Sequence, residues 1–179
     1  MSLLNLSDYI NYSLKLAAKP RRGGGNMFRH QMETLAILLE YSYDDPVLLK
    51  AAMIHDIIED GDVIGFHNFD EIRDIDKDGA NVLSLVKEVS RHLIQGIQEP
   101  KSEFLLRIME QGSQHARILK LADRISNLSS LLLTRDPEFI SSYLRETESF
   151  ILPYAENINT NMATELKNHI ESIKTEIQL

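Results

Sequence analysis

Cysteine is absent from this chain, which removes disulfide frameworks and thiol chemistry and suits a reducing cytoplasm. No apolar run approaches the length of a membrane span. The N-terminal MSLLNLSDYI lacks both a basic start and an extended apolar core, so no secretory signal is expected. Strand-like alternation is missing at any length. Excess positive charge is missing too. The net charge is −8, which argues against a surface for nucleic-acid polymers.

What is present is an ordinary globular composition, 43% hydrophobic and 26% charged over 179 residues, enough for one well-cored domain spanning 1–179. Charge is unevenly spread. Within residues 1–30, Lys15, Lys19, Arg21, Arg22 and Arg29 face only Asp8, a local balance of +4 that leaves −12 for the rest. A small basic segment on an acidic protein suits a compact anion better than a polymer, but charge alone favours reading KPRRGGG as a solvated loop.

Helical periodicity runs nearly throughout, and the fold class expected is all-α, a single bundle of about eight helices. The spacing predicts helices over 5–18 and 29–42, with a flexible break at PRRGGGN. Asp45 caps the next helix and Pro46 takes its first position. A loop is expected over 61–79, with a helical turn near FDEIRD. Further helices are expected at 80–95, 101–112, 114–133 and 137–155, the last kinked by Pro153. Ile158, Met162, Leu166, Ile170, Ile173 and Ile177 form an apolar stripe on a final helix, which can pack on the domain or against a second copy in a homo-oligomer.

The stretch MIHDIIEDG, residues 53–61, is the most informative. As an α-helix turning about 100° per residue, it points His55, Asp56, Glu59 and Asp60 into one sector of an otherwise apolar element. A solvent face would explain one such residue. His-Asp followed a turn later by Glu-Asp points to a site, since acids rarely sit unpaired on buried helices. Imidazole and carboxylate together suit manganese, iron or zinc, and a carboxylate not needed as a ligand can hold or deprotonate a water. Further ligands must come from elsewhere. Spacing does not single out His30 over His67, His92, His115 or His169, and periodicity places Lys120, Asp123 and Asn127 of LKLADRISNL on a polar face without saying what that face meets.

His30, HDIIED and KLADRISNL together resemble the HD-domain metal phosphohydrolases, and more narrowly the hydrolase domain of the RelA/SpoT group and the small stand-alone alarmone hydrolases. The resemblance spans about residues 5–155. It implies His30, His55, Asp56 and Asp123 as ligands of one divalent ion, usually manganese(II). It implies Glu59 and Asp60 as the residues that position and activate water. Substrate contacts are implied at Arg21 and Arg22 and, in the last motif, at Asn127 near the ribose and at Lys120, while for Lys120 and Arg124 the resemblance leaves open a structural role instead. The implied substrate is a small anionic nucleotide, guanosine tetra- or pentaphosphate, which loses its 3′-pyrophosphate. The chain departs from the family where G-x-P-Y-I-x-H-P is replaced by GGNMFRHQM, where Gly61 stands in place of Thr, and where Ser126 stands in place of His.

DIDKDG, residues 74–79, imitates the start of a calcium loop, but Leu85 occupies the twelfth position, where a bidentate Glu is needed. An ordinary turn is the simpler expectation. Two further functional readings stand beside alarmone hydrolysis: the same chemistry on another phosphate compound, such as a nucleotide or NADPH, and a non-catalytic nucleotide-binding module. The complete ligand set with Glu59 and Asp60 speaks against the last.

Overall fold

A computed structural model describes residues 5–60 and 68–177. Gly61 and His67 lie outside the described residues. The chain forms two compact units, one made of the segment up to Arg21 with Gly25–Arg91, the other of Arg22–Gly24 with the chain from His92 onward.

In the first unit α1 (Ser7–Leu14) runs into a 3₁₀ turn, Lys15–Ala18. The glycine loop that follows is a closed, hydrogen-bonded turn. Arg21 N donates to Gly25 O at 3.1 Å and Met27 N to Lys19 O at 2.9 Å, with Gly24 and Gly25 at φ +84° and +70°, where glycine carries no Cβ penalty. Asn26 ends the loop by capping α2 (Met27–Glu40), its side chain accepting from Arg29 N. α3 (Pro46–Ala52) starts as expected, with Asp45 accepting from Leu48 N at 3.0 Å. α3 packs on α2 and on α4 (Gly79–Val89), and a 3₁₀ turn at Phe69–Asp74 covers α4. Leu48, Leu49, Ala51, Ala52, Met53, Ile54 and Ile57 are all essentially solvent-free, and each large one contributes about 1.5–3 kcal/mol of burial.

Lys50 sits inside that apolar run and is itself buried. Its ammonium reaches Asp76 Oδ2 at 2.5 Å and Asp78 Oδ2 at 2.7 Å, and Tyr9 Oη donates to Asp76 Oδ1 at 3.0 Å. Burial alone would lower the Lys50 pKa, but the two carboxylates outweigh it and raise it. Burial and the neighbouring Asp76 likewise raise Tyr9. The calcium-like DIDKDG loop is thus organised around an internal ammonium.

The expected all-α fold holds, interrupted among the described residues by one short hairpin in the second unit. The helix expected to reach residue 95 stops at Val89, and Leu93–Ile94 (β1) pairs antiparallel with Ile97–Gln98 (β2). Gln95 and Gly96 join them at φ +52° and +80°, the tight turn that matches strand twist. Two-residue strands are too short for alternation to announce. α5 (Lys101–Leu106) continues through a wider π turn to Gln111. It ends at Gly112, where a Cβ would meet Ile108 O at 2.4 Å.

α6 (Gln114–Ser129) carries the LKLADRISNL motif and is capped by Ser113. A 3₁₀ turn, Leu131–Thr134, leads to α7 (Pro137–Phe150), whose cap is Asp136, accepting from Phe139 N at 3.1 Å. The expected kink at Pro153 is a full break at Ile151, after which come α8 (Leu152–Ile158) and α9 (Thr160–Ile177). Met162, Leu166, Ile170 and Ile173 of the C-terminal stripe are buried, with α9 against α6 and α8. The stripe is core of its own unit.

Candidate metal centre

The regular helix ends at Ala52, earlier than the periodicity suggested. From Met53 to Asp60 the chain winds as overlapping turns, with Met53 N bonded to Lys50 O, Ile54 N to Ala51 O and Ile57 N to Ile54 O at 3.0–3.2 Å. Three-residue bonding up to Ile57 turns the side chains further per residue than an α-helix does, and although Asp60 N again bonds Asp56 O at 3.0 Å, the four polar residues make their contacts in different directions. His55 and Asp56 turn toward α2. Asp60 turns to Lys19, while Glu59 is exposed and its Oε1 accepts from Arg91 N at 2.9 Å.

His30, His55 and Asp56 come together with their donor atoms all within 4.8 Å of one another. His30 Nε2 lies 3.5 Å and His55 Nε2 3.4 Å from the same oxygen, Asp56 Oδ2. Both imidazoles are almost solvent-free, and their rings meet edge to face at 5.2 Å. His55 Nδ1 lies 2.8 Å from Ala52 O, so in the neutral ring the proton sits on Nδ1 and the Nε2 lone pair faces the carboxylate. Lone pairs of an imidazole and a carboxylate at that separation repel unless a cation or proton lies between them. Two imidazoles and one carboxylate form a donor set suited to a divalent transition metal, and the Nδ1–carbonyl contact is the orienting support that such ligands have.

Two residues at this site lie outside the motifs that the sequence singles out. Gln31, fully buried beside His30, accepts from His55 N at 3.1 Å through Oε1 and donates to Asp56 Oδ2 at 3.0 Å through Nε2. Lys19 pairs with Asp60 Oδ1. Burial pushes the Asp60 carboxyl upward, Lys19 pulls it back and the Asp56 charge adds to the rise, with a net upward shift. Asp60 Oδ2 is buried and makes no hydrogen bond among the described residues.

The remaining expected residues divide between the units. Arg21, largely buried, bonds Glu33 Oε2 at 3.4 Å in the first unit. Arg22 belongs to the second, exposed, stacked on Phe139 at 4.3 Å and 3.8 Å from Asp136. Asp123 is also in the second unit, buried and held by its own helix. Lys120 Nζ donates to Oδ2 at 2.9 Å, and Asn127 Nδ2 to Oδ1 at 2.6 Å and to the backbone carbonyl at 3.0 Å. Arg124 ties α6 to α7 through Glu146 Oε1 at 2.8 Å and Thr147 Oγ1 at 3.2 Å, and it lies over Tyr143 at 4.3 Å.

Among the described residues no helix is long and apolar enough to cross a membrane.

The family model described as the HD domain matches residues 27–128, a span that takes in His30, His55, Asp56 and Asp123. The chloroplastic RSH1 protein of Arabidopsis thaliana, described as a candidate GTP diphosphokinase, is 27% identical over 174 residues, 90% of this chain and 20% of that protein. A Synechocystis protein described as a candidate guanosine-3′,5′-bis(diphosphate) 3′-pyrophosphohydrolase is 25% identical over 150 residues, 82% of this chain and 19% of that one. The chain therefore spans about a fifth of the length of these relatives. A solved metazoan orthologue of SpoT, described as hydrolysing ppGpp, superposes with a TM-score of 0.79 at 21% identity, over 93% of this chain and 94% of that one, which establishes the shared helical fold. With more than half of its length matched by the HD model, the chain belongs to the HD-domain family.

Proposed function

We propose that the chain is a metal-dependent phosphohydrolase that removes the 3′-pyrophosphate of guanosine tetra- or pentaphosphate, giving GDP or GTP. The observation that carries this reading is the convergence of His30 Nε2, His55 Nε2 and Asp56 Oδ2 within 3.4–3.5 Å contacts. His30, His55 and Asp56 would hold one divalent ion, with Asp123 as the fourth ligand and manganese(II) as the ion. Bound there, such an ion polarises a phosphoryl oxygen and lowers the pKa of a water. Asp60 accepts the proton of the attacking water, and Glu59, whose Oε1 accepts from Arg91 N, is given a part in placing that water by the family resemblance alone. Lys19 keeps the Asp60 carboxylate oriented. Arg21 and Arg22 offset the phosphate charge. Lys120 and Asn127 serve the reaction through Asp123, whose carboxylate they hold. The relatives described as acting on guanosine nucleotides support the substrate class.

The test is to incubate manganese-loaded protein with guanosine tetraphosphate and identify the products by mass. GDP and pyrophosphate are expected, with turnover lowered at least about a hundredfold in Asp60→Asn. No turnover by a protein shown to hold the metal would reject this substrate and direct the assay to other phosphate esters.

A further inference from the structure

Gln31 is the residue whose chemistry the proposed reaction leaves unused. It occupies the position after the first histidine, on the buried face of α2, and is fully shielded from solvent. Burying a primary amide is unfavourable unless its groups are bonded. Here both ends are bonded, and to two parts of the same site: Oε1 accepts from the backbone N–H of His55, and Nε2 donates to Asp56 Oδ2. The two bonds fix the orientation of the amide. Reversing it would set its oxygen against a carboxylate and its NH₂ against a backbone N–H, two repulsive contacts in place of two attractive ones.

The oxygen that Gln31 holds is the one lying between His30 Nε2 and His55 Nε2. Asp56 lies on a segment outside the regular helix with its side chain 23% exposed, where its carboxylate has a torsion of its own to fix. A buried donor on α2, the helix that also carries His30, restricts that rotation. It ties the turn at 55–56 to α2 at the level of the ligands themselves. Gln31 donates from a neutral group and leaves Asp56 Oδ2 with lone pairs to spare.

We propose that Gln31 is a positioning residue of the metal centre, which presets Asp56 and the His55 backbone for ion binding and acts through those ligands rather than on the substrate. This inference rests on the reading of His30, His55 and Asp56 as ligands.

The test is manganese(II) binding by calorimetry, with no substrate present, comparing the unaltered protein with Gln31→Met, which keeps the side-chain length and removes both hydrogen bonds. His55→Ala reports on the centre itself. The expected result is a dissociation constant about 10- to 100-fold weaker in Gln31→Met, in the range for loss of an orienting partner. The folded fraction is checked by circular dichroism at the temperature of the titration. Binding by Gln31→Met equal to that of the unaltered protein would overturn the inference while leaving the centre intact. Absence of manganese binding by the unaltered protein would overturn both.

A second measurement needs no variant. In ¹⁵N-labelled full-length protein, the Gln31 side-chain NH₂ resonances should shift on saturation with diamagnetic zinc, because their acceptor oxygen becomes a ligand. Unchanged Gln31 amide resonances in zinc-saturated protein would also overturn the inference.

Discussion

Replacing Lys120 by methionine tests whether the last motif holds a ligand or touches substrate. The ammonium donates to Asp123 Oδ2 at 2.9 Å, with the two side chains 9% and 11% exposed. An exposed pair of this spacing is worth only about 0.3–0.5 kcal/mol. Breaking a buried pair costs about 3–5 kcal/mol, because it strands the remaining charge. The low exposure places Lys120–Asp123 near the second case. Asn127 continues to donate to the other carboxylate oxygen at 2.6 Å, and a hydrogen bond to a charged group retains about 1.5–3 kcal/mol. The expected loss is therefore about 2–3 kcal/mol, roughly 30- to 150-fold in the folding equilibrium constant. Urea unfolding of metal-free protein, followed by helical circular dichroism, reads this as a lower midpoint at unchanged slope. A Lys120→Met midpoint within about 0.5 kcal/mol of the unaltered protein, together with a raised KM for the nucleotide, would refute the reasoning and make Lys120 a direct substrate contact.

The other predictions concern the first unit and the acid limit. Lys50→Met leaves Asp76 and Asp78 facing each other without their cation; since both are partly solvated, the expected loss is about 2 kcal/mol, read from the same urea titration. Because the ammonium already occupies the DIDKDG loop, calcium should not raise the melting temperature of the unaltered protein, and a calcium-dependent rise would contradict that account. In acid, Glu99 is held below the usual carboxylate range by hydrogen bonds from Arg107 and His92 N. Asp76 is lowered too: burial opposes the shift, but Lys50, Asp78 N and Tyr9 outweigh it. Depressed folded pKa values contribute stability above the unfolded values, near pH ~4, and that stability is lost as the pH falls through the folded ones. Asp60, shifted upward, works in the opposite sense and is relieved by protonation. The urea midpoint should therefore fall below about pH 4, less steeply in Glu99→Gln, and an equal slope in that variant would remove Glu99 from the account.

Legibility in the sequence followed the range of the interactions. Features set by residues close along the chain were readable: the Asp45-Pro46 and Asp136-Pro137 starts, the break near Pro153, the apolar run through Ile57 and the final amphipathic helix. The hairpin at 93–98 was not, because two residues per strand carry no periodicity, although Gln95-Gly96 is a recognisable turn after the fact. The end of α3 at Ala52 was missed for a different reason. Its apolar residues satisfy a helix and a tighter coil of turns equally well, and only the hydrogen bonds decide between them.

The same distinction separates the site residues. His55 and Asp56 drew attention because charge in an apolar run is locally anomalous. His30 did not, since one histidine opening a helix is unremarkable until His55 is found 5.2 Å away. Gln31, a neutral residue, had no local signature, and Lys19 stood out only as one of five cations in the basic segment. Their meaning lies in Asp56 and Asp60, which are 25 and 41 positions distant in the chain. Pattern reading placed Lys120, Asp123 and Asn127 on a polar face. That face turned out to contain a self-satisfied triad, with two donors fixing one buried carboxylate. A ligand of this kind is recognised by how many groups are spent on keeping it still, and the count is visible only once the side chains are in place. That is why Lys120 and Gln31, rather than the histidines, are the substitutions that most sharply separate preorganisation of the centre from contact with its substrate.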